Sequence, residues 1–428
     1  MPPSRCPSST TNRFSANHCH SPMRTSESTT AARPSGTVME VFRAFLKLGL
    51  TSFGGPIAHL GYLREEFVQR RGWLDEAHFA QLLAVCQFLP GPASSQMGFA
   101  IGLFRGGWRG ALAAFIAFTL PSALLMFAFA ALAPHVGPGV GSAALHGLKL
   151  VAVVVVAHGV LGMVRQLAPD TPRALIAAGA AALIVLTGNA WVQLIAIALG
   201  GAVGPWLCRH VTAPVTAVFP VSYGRRGAVV FISIFLLGLA AALALPHGET
   251  PSASGLAAAF YQAGALVFGG GHVVLPLLQQ TVVESGWVAA DTFLAGYGAA
   301  QAVPGPMFSL AAFLGAEVPL GMSPIVGAGI ALAAVFLPGF LLLLAALPVW
   351  ARLAQRPWAA STMAGINAAV VGLLVAALYD PVWTQGVRGS ADFAIVVVGF
   401  ALLAAARISA LWIVLWCAAA SIAVTLIG

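Results

Sequence analysis

The chain has 428 residues, 59% of them hydrophobic and only 8% charged, with a formal net charge of +8. A soluble chain carries about 25% charge, so this one cannot cover its own surface with polar groups, and most of that surface must face lipid. A mean hydropathy of +0.89 agrees, and the polar stretches are too short to hold a large soluble catalytic domain.

In chain order, residues 1–40 read as a disordered N-terminal tail, rich in Ser, Thr, Pro and Arg and without the apolar stretch of a signal peptide. His18-Cys19-His20 in this tail has metal-ligating residue types, but a disordered tail accounts for it, and Met23 and Met39 are alternative starts. A first repeat covers 41–206, a loop and linking transmembrane helix 207–256, and a second repeat 257–428. The first repeat opens with interrupted apolar segments at 41–63 and 78–104, followed by spans at 110–133, 146–163, 174–188 and 190–206. The run 174–188 is short for a span of about 20 residues. After the linking span 227–246, the second repeat has interrupted segments at 257–278 and 292–317 and spans at 323–348, 361–379, 390–406 and 408–427. The cysteines (Cys6, Cys19, Cys86, Cys208 and Cys417) are odd in number and lack a CxxC pair, so neither a disulfide framework nor a zinc ribbon is expected.

The two repeats share landmarks in register. Phe53-Gly54-Gly55-Pro56, Gly72-Trp73 and Gln87-Phe88-Leu89-Pro90-Gly91-Pro92 return as Phe268-Gly269-Gly270-Gly271, Gly286-Trp287 and Gln301-Ala302-Val303-Pro304-Gly305-Pro306. The offset is 215 residues at the first landmark and 214 at the last. Paired units with Gly and Pro breaks at membrane depth point to a transporter built from internal repeats.

Arginine orients the units. In the first copy Arg64, Arg70, Arg71, Arg105, Arg109, Arg165 and Arg173 alternate with loops bare of positive charge. In the second copy 279–291 and 317–322 are bare, and Arg352 and Arg356 stand where the first copy is bare. Positive charge swaps sides, which reads as inverted topology, with span 227–246 as the odd linker; Arg388 dissents. The same pattern favours re-entrant hairpins over full crossings for the interrupted segments. The expected fold is an all-α polytopic membrane protein of two homologous inverted-topology repeats, with about nine full spans and four interrupted segments.

Pro90 and Pro92 lack N–H donors and Gly91 permits unusual dihedrals, so the helix stops there and a new half-helix starts. Ser94, Ser95 and Gln96 in its first turn, free N–H groups and the positive end of the helix dipole suit an anion. Pro304, Gly305, Pro306 and Ser309 repeat the arrangement, and Gln87 and Gln301 precede the breaks. Two such termini facing each other would grip an oxyanion without a metal. Phe53, Gly54, Gly55, Pro56, Phe268, Gly269 and Gly270 let backbone approach a ligand or, equally, a neighbouring helix. Lys47 is an intramembrane cation suited to an anion or a side chain snorkelling to the interface, and Lys149 sits near a span end and snorkels. Arg64 and Glu65 belong to a dense charge cluster that attracts an anion or simply forms a positive loop. His59 and His272 follow the Gly breaks at unequal offsets. No carboxylate lies at mid-membrane, which disfavours a cation pump, and no phosphate-binding loop suggests ATP use.

These motifs, together with Arg64-Glu65-Glu66-Phe67 and Arg70-Arg71-Gly72-Trp73, resemble the chromate ion transporter family, as a long two-copy member from about Val41 to the end. The resemblance implies efflux of chromate from the bacterial cytoplasm across the inner (plasma) membrane by exchange or ion coupling, with sulfate as chemical mimic. The expected partners are such an oxyanion and the lipid bilayer; no cofactor, metal or nucleic acid is expected, and a homodimer stays open. A sulfate or other oxyanion transporter, a passive anion channel and a membrane-embedded enzyme are the alternatives, the last lacking any nucleophile–base pair in the spans.

Overall fold

The computed structural model describes residues 36–137, 139–187, 190–211, 219, 221–245, 250–268, 271–353 and 356–427. The tail with His18-Cys19-His20, and Gly269 and Gly270 of the second Gly break, lie outside the described residues. Those described form helices and loops, with no strand among them.

Helix α1 (Val38–Thr51) is capped by Thr37, whose Oγ1 accepts from the Glu40 N–H. It ends where Gly54 and Gly55 take φ of +105° and +78°, a left-handed backbone that side chains resist. Helix α2 (Gly55–Arg64) follows and widens into a π-helical turn at Glu65–Arg70. Asp75 caps α3 (Glu76–Phe88) by accepting from the His78 N–H at 2.8 Å. The donor-less prolines then end α3, and α4 (Ala93–Leu132) starts directly after Pro92. Non-helical dihedrals at Gly106 and Gly107 divide α4 into two helices. Next come α5 (Val140–Leu167), α6 (Thr171–Thr187), α7 (Ala190–Leu207) and the linking α8 (Arg225–Ala244). The second copy is α9 (Ala253–Leu266), α10 (Val274–Val282), α11 (Ala290–Ala300), α12 (Leu310–Glu317), α13 (Pro324–Ala346), the single turn α14 (Trp350–Leu353), α15 (Pro357–Ala377), the short α16 (Thr384–Gly386), α17 (Ser390–Ala404) and α18 (Ala410–Ile427).

The copies embrace each other. Helix α5 packs on α17 and α18, while its counterpart α15 packs on α6 and α7. Small residues permit this: a Cβ on Gly147 would meet the Ala418 backbone at 2.6 Å, and one on Gly365 would collide with the Gly200 carbonyl. Within the copies, Gly102 abuts Gly110 and Gly315 abuts Gly327, closing equivalent hairpins. On α8, Val229, Val230, Leu236 and Leu237 are exposed, as a lipid-facing helix requires.

The interrupted segments of the first copy fold back on themselves. Glu40 at the start of α1 pairs with Arg105 at the α4 break at 3.3 Å, and the Arg105 guanidinium lies 5.1 Å from the centre of the Trp73 ring. The starts and ends of both hairpins therefore meet at one level, and α1, about 21 Å long at 1.5 Å per residue, reaches only part-way through a bilayer. The loop between α5 and α6 joins the end of α7 through Asp170 and His210, 2.9 Å apart.

Among the described residues, six helices are long and apolar enough to cross a membrane alone, whereas α6 and α17 are shorter. Helix α17, with 15 residues, spans about 22 Å against a hydrocarbon core of about 30 Å. Arg388 dissents less than its charge suggests: its guanidinium lies 3.3 Å from Asp291, and its N–H donates to Asp392. The ammonium of Lys149 reaches the exposed Asp291 in the first turn of α11. The residue is only 7% exposed and pairs with Asp291 at 2.6 Å, because a buried ammonium needs a counter-charge.

Candidate functional site

The four breaks meet in two reciprocal pairs, each joining one copy to the other. The Gly91 N–H donates to the Val267 carbonyl at 2.6 Å, beside Phe268 of the second Gly break. Reciprocally, the Gly305 N–H donates to the Ser52 carbonyl at 2.9 Å, beside Phe53 of the first. Each Pro-Gly-Pro turn is thereby pinned to the other copy's Phe-Gly turn. Those two N–H groups are committed to carbonyls and are not available to an anion. The donors left are hydroxyls and the first-turn N–H groups of α4, which have no intrahelical acceptor.

Gly91 (φ +121°) and Gly305 (φ +98°) are in left-handed regions, and both sit against a proline-containing helix. Gly91 faces Gly339, next to Pro338 of α13; Gly305 faces Ser122, next to Pro121 of α4. Around Gly91, Pro90, Pro92, Ser94, Ser95 and Gln96 are buried. Gln96 Nε2 donates to the carbonyls of Pro90 and Gly339, both at 2.9 Å, which locks the turn to α13. Its Oε1 and the Ser95 Oγ are buried without a hydrogen-bond partner. Around Gly305 the His59 ring lies 3.1 Å from the Ser52 carbonyl, and Ser122 Oγ donates to the Thr119 carbonyl at 2.8 Å. Ser52 Oγ, His59 Nδ1 and Thr119 Oγ1 are buried there without partners. Buried polar groups are ordinarily satisfied, so two clusters of unsatisfied groups beside the breaks mark a place built for something polar.

The remaining expected residues distribute as follows. Pro304, Pro306, Gln301 and Ser309 are buried, with Gln301 Nε2 3.2 Å from Met307 Sδ. Phe53 and Phe268 are half-buried, and Pro56 occupies the first turn of α2. Gln87 is exposed, away from the buried clusters. His272 follows the second Gly break and shares a 2.9 Å hydrogen bond with the Tyr297 hydroxyl. Ser52, Thr119 and Ser122 carry no motif of their own. Their signal is a further echo, Leu120-Pro121 against Leu337-Pro338 at an offset of 217, which sets Ser122 opposite Gly339.

The charge cluster is organised by Glu66, not by Glu65, which is exposed. Glu66 Oε2 accepts from Arg70 at 2.8 Å and from Lys47 at 3.3 Å, and Oε1 accepts from Arg71 at 2.8 Å. Arg64 pairs instead with Glu76 at 2.7 Å. From this mouth a column of rings descends: Trp73 on Phe67, Phe67 on Phe45, then Phe118 and His59, with centroid separations of 4.8, 4.7, 6.3 and 5.7 Å. The charged mouth and the Gly305 cluster are thus in continuous contact. On the opposite face His146 pairs with Asp392 at 2.9 Å, and a cleft lined by Gln279, Glu284 and Asp380 opens. One face is cationic and the other mixed or acidic.

The sequence model for the chromate transporter family matches this chain twice, over residues 39–205 and 254–422. The probable chromate transport protein of Synechococcus elongatus is 29% identical over 364 residues, covering 83% of this chain and 87% of its own. The chromate transport protein of Pseudomonas aeruginosa is 29% identical over 384 residues, covering 84% of this chain and 85% of its own. That of Cupriavidus metallidurans is 27% identical over 350 residues, covering 81% and 82% respectively. No solved structure matches the chain. Both repeats fall within the family's match and the relatives are named as transport proteins, not enzymes, so the chain belongs to the chromate transporter family.

Proposed function

We propose that the chain is a secondary transporter that exports chromate, a sulfate-like tetrahedral dianion, from the cytoplasm across the bacterial inner membrane, and so confers chromate resistance. The observation that carries this reading is the reciprocal pinning of Gly91 to Val267 and of Gly305 to Ser52. It builds two buried clusters from both copies, with unpartnered hydroxyls of Ser95 in one and of Ser52 and Thr119 in the other. Hydroxyls beside half-helix N-termini can replace part of an oxyanion's hydration shell. The Arg-rich face is cytoplasmic by the distribution of positive charge, and it concentrates anions at the mouth before transport. Because each turn is hydrogen-bonded to the other repeat, rocking of one repeat against the other opens these clusters to alternate faces.

The test is uptake of radiolabelled chromate into everted membrane vesicles containing the protein, where export becomes uptake. Energised accumulation that excess sulfate inhibits, and that Pro92→Ala abolishes, supports the reading. Equilibration without accumulation makes the protein a channel. Absence of chromate movement with correctly inserted protein removes chromate as the cargo.

A further inference from the structure

Glu66 is an unusual carboxylate for a chain with so few. It is only 4% exposed, yet it holds three cations on two oxygens. One cation would compensate its burial. The other two are in excess of structural need, and the side chains of Lys47, Arg70 and Arg71 are 48%, 56% and 32% exposed, so they face the solution while the carboxylate does not. Three cations less one carboxylate leave two positive charges, matching a dianion. An ammonium and two guanidinium groups aimed at one point are also donors that a tetrahedral oxyanion accepts from well.

The second copy shows that the hub is not needed to fold the hairpin. Counting back from Gly286-Trp287, the positions equivalent to Glu66, Arg70 and Arg71 hold Gln280, Glu284 and Ser285, and Lys47 corresponds to Gln262. The second hairpin forms without these ion pairs; Gln262 Oε1 and Gln280 Nε2 are buried without partners. The hub is therefore specific to the cationic face. It also sits on the π-helical turn Glu65–Arg70, an irregularity frequent at functional positions, where the Arg71 N–H bonds to the Glu66 carbonyl. Phe67, next in the chain, belongs to the aromatic column that ends at His59.

We propose that Glu66 is a tethered surrogate anion: an incoming oxyanion dianion binds Lys47, Arg70 and Arg71 by displacing the Glu66 carboxylate, and the movement is passed to Phe67 and its column. This deepens the oxyanion-export reading and rests on it.

The test is calorimetric binding of inorganic sulfate to the purified full-length protein at neutral pH and low chloride, for the wild type, Glu66→Gln, Glu66→Asp and the Lys47→Gln/Glu66→Gln pair. Removing the competing carboxylate is expected to tighten sulfate binding about tenfold in Glu66→Gln, equivalent to ~1.4 kcal/mol. Glu66→Asp, whose shorter side chain cannot bridge Lys47 and Arg71, tightens it less, and the double variant returns towards the wild type. Unchanged or weaker binding by a monodisperse Glu66→Gln overturns the inference while leaving oxyanion transport standing. If Glu66→Gln does not fold, Glu66→Asp decides, and unchanged affinity there overturns the inference equally. If the folded wild type and its variants bind neither sulfate nor chromate, the inference and the oxyanion reading fall together.

Discussion

Replacing Gly91 by Ala tests the exchange of hydrogen bonds between copies most directly. At φ +121° an L-residue is strained by about 1–3 kcal/mol. The added methyl would stand 3.0 Å from the Gly339 Cα and 2.9 Å from Gln96 Nε2. The first contact is with backbone and cannot rotate away. The turn must shift, which stretches the 2.6 Å bond to Val267 and the Gln96 bonds to Pro90 and Gly339. Loss of one such buried bond costs about 1–3 kcal/mol, so the total is roughly 2–6 kcal/mol. Gly107→Ala is the control: at φ +63° and ψ −157° an L-residue is likewise strained, by about 1–3 kcal/mol, but nothing lies within 4 Å of the new methyl and no inter-copy bond is lost. Thermal unfolding of the detergent-solubilised proteins and transport in vesicles are the assays. Gly91→Ala should lose transport and unfold well below Gly107→Ala. Equal melting of the two with transport retained would refute the idea that this turn is held between Gly339 and Val267.

Thr119→Val keeps the shape and removes a buried hydroxyl that has no partner. Stability should change by less than about 1 kcal/mol, while the half-saturating chromate concentration in vesicles should rise about five- to thirtyfold. Loss of folding without that rise would make the hydroxyl structural. Gly365→Leu drives a side chain into the Gly200 carbonyl and should destabilise by about 3 kcal/mol or more, as Gly147→Leu should at the symmetry-related contact with Ala418; melting temperatures compare them. In the loop before α6, the Arg173 side chain beside Asp170 holds its carboxyl well below the usual carboxylate range, with His210 adding to it. A depressed carboxyl stabilises above its unfolded value and loses that contribution as pH falls through its folded value. Asp170→Asn should therefore cost about 1–2 kcal/mol near neutrality, and the gap to the wild type should narrow only below about pH 4. A gap already closing at pH 6 would refute the assignment.

The interrupted segments were legible because proline removes a donor and glycine admits positive φ wherever they stand; Pro90-Gly91-Pro92 ends a helix from its own chemistry. The charge partner of Arg388 was not legible, because Asp291 lies 97 residues away in the chain. Which acidic residue gathers the cations was not legible. Glu65 and Glu66 are adjacent and chemically alike, and only the widened turn at Glu65–Arg70 decides which one points inward to Lys47. The partner of Lys149 was not legible because that counter-charge, Asp291, comes from the other copy.

Composition, segment lengths and the doubled landmarks by themselves determined that this is a two-copy helical membrane protein, since hydropathy and backbone sterics act locally and need no partner. Only the tertiary structure decided that Gly91 and Gly305 spend their N–H groups on the opposite copy, that Ser122 and Gly339 receive the two turns, and that Glu66 gathers three cations. Those facts depend on residues far apart in the chain meeting at hydrogen-bond distance, and no local periodicity carries that information.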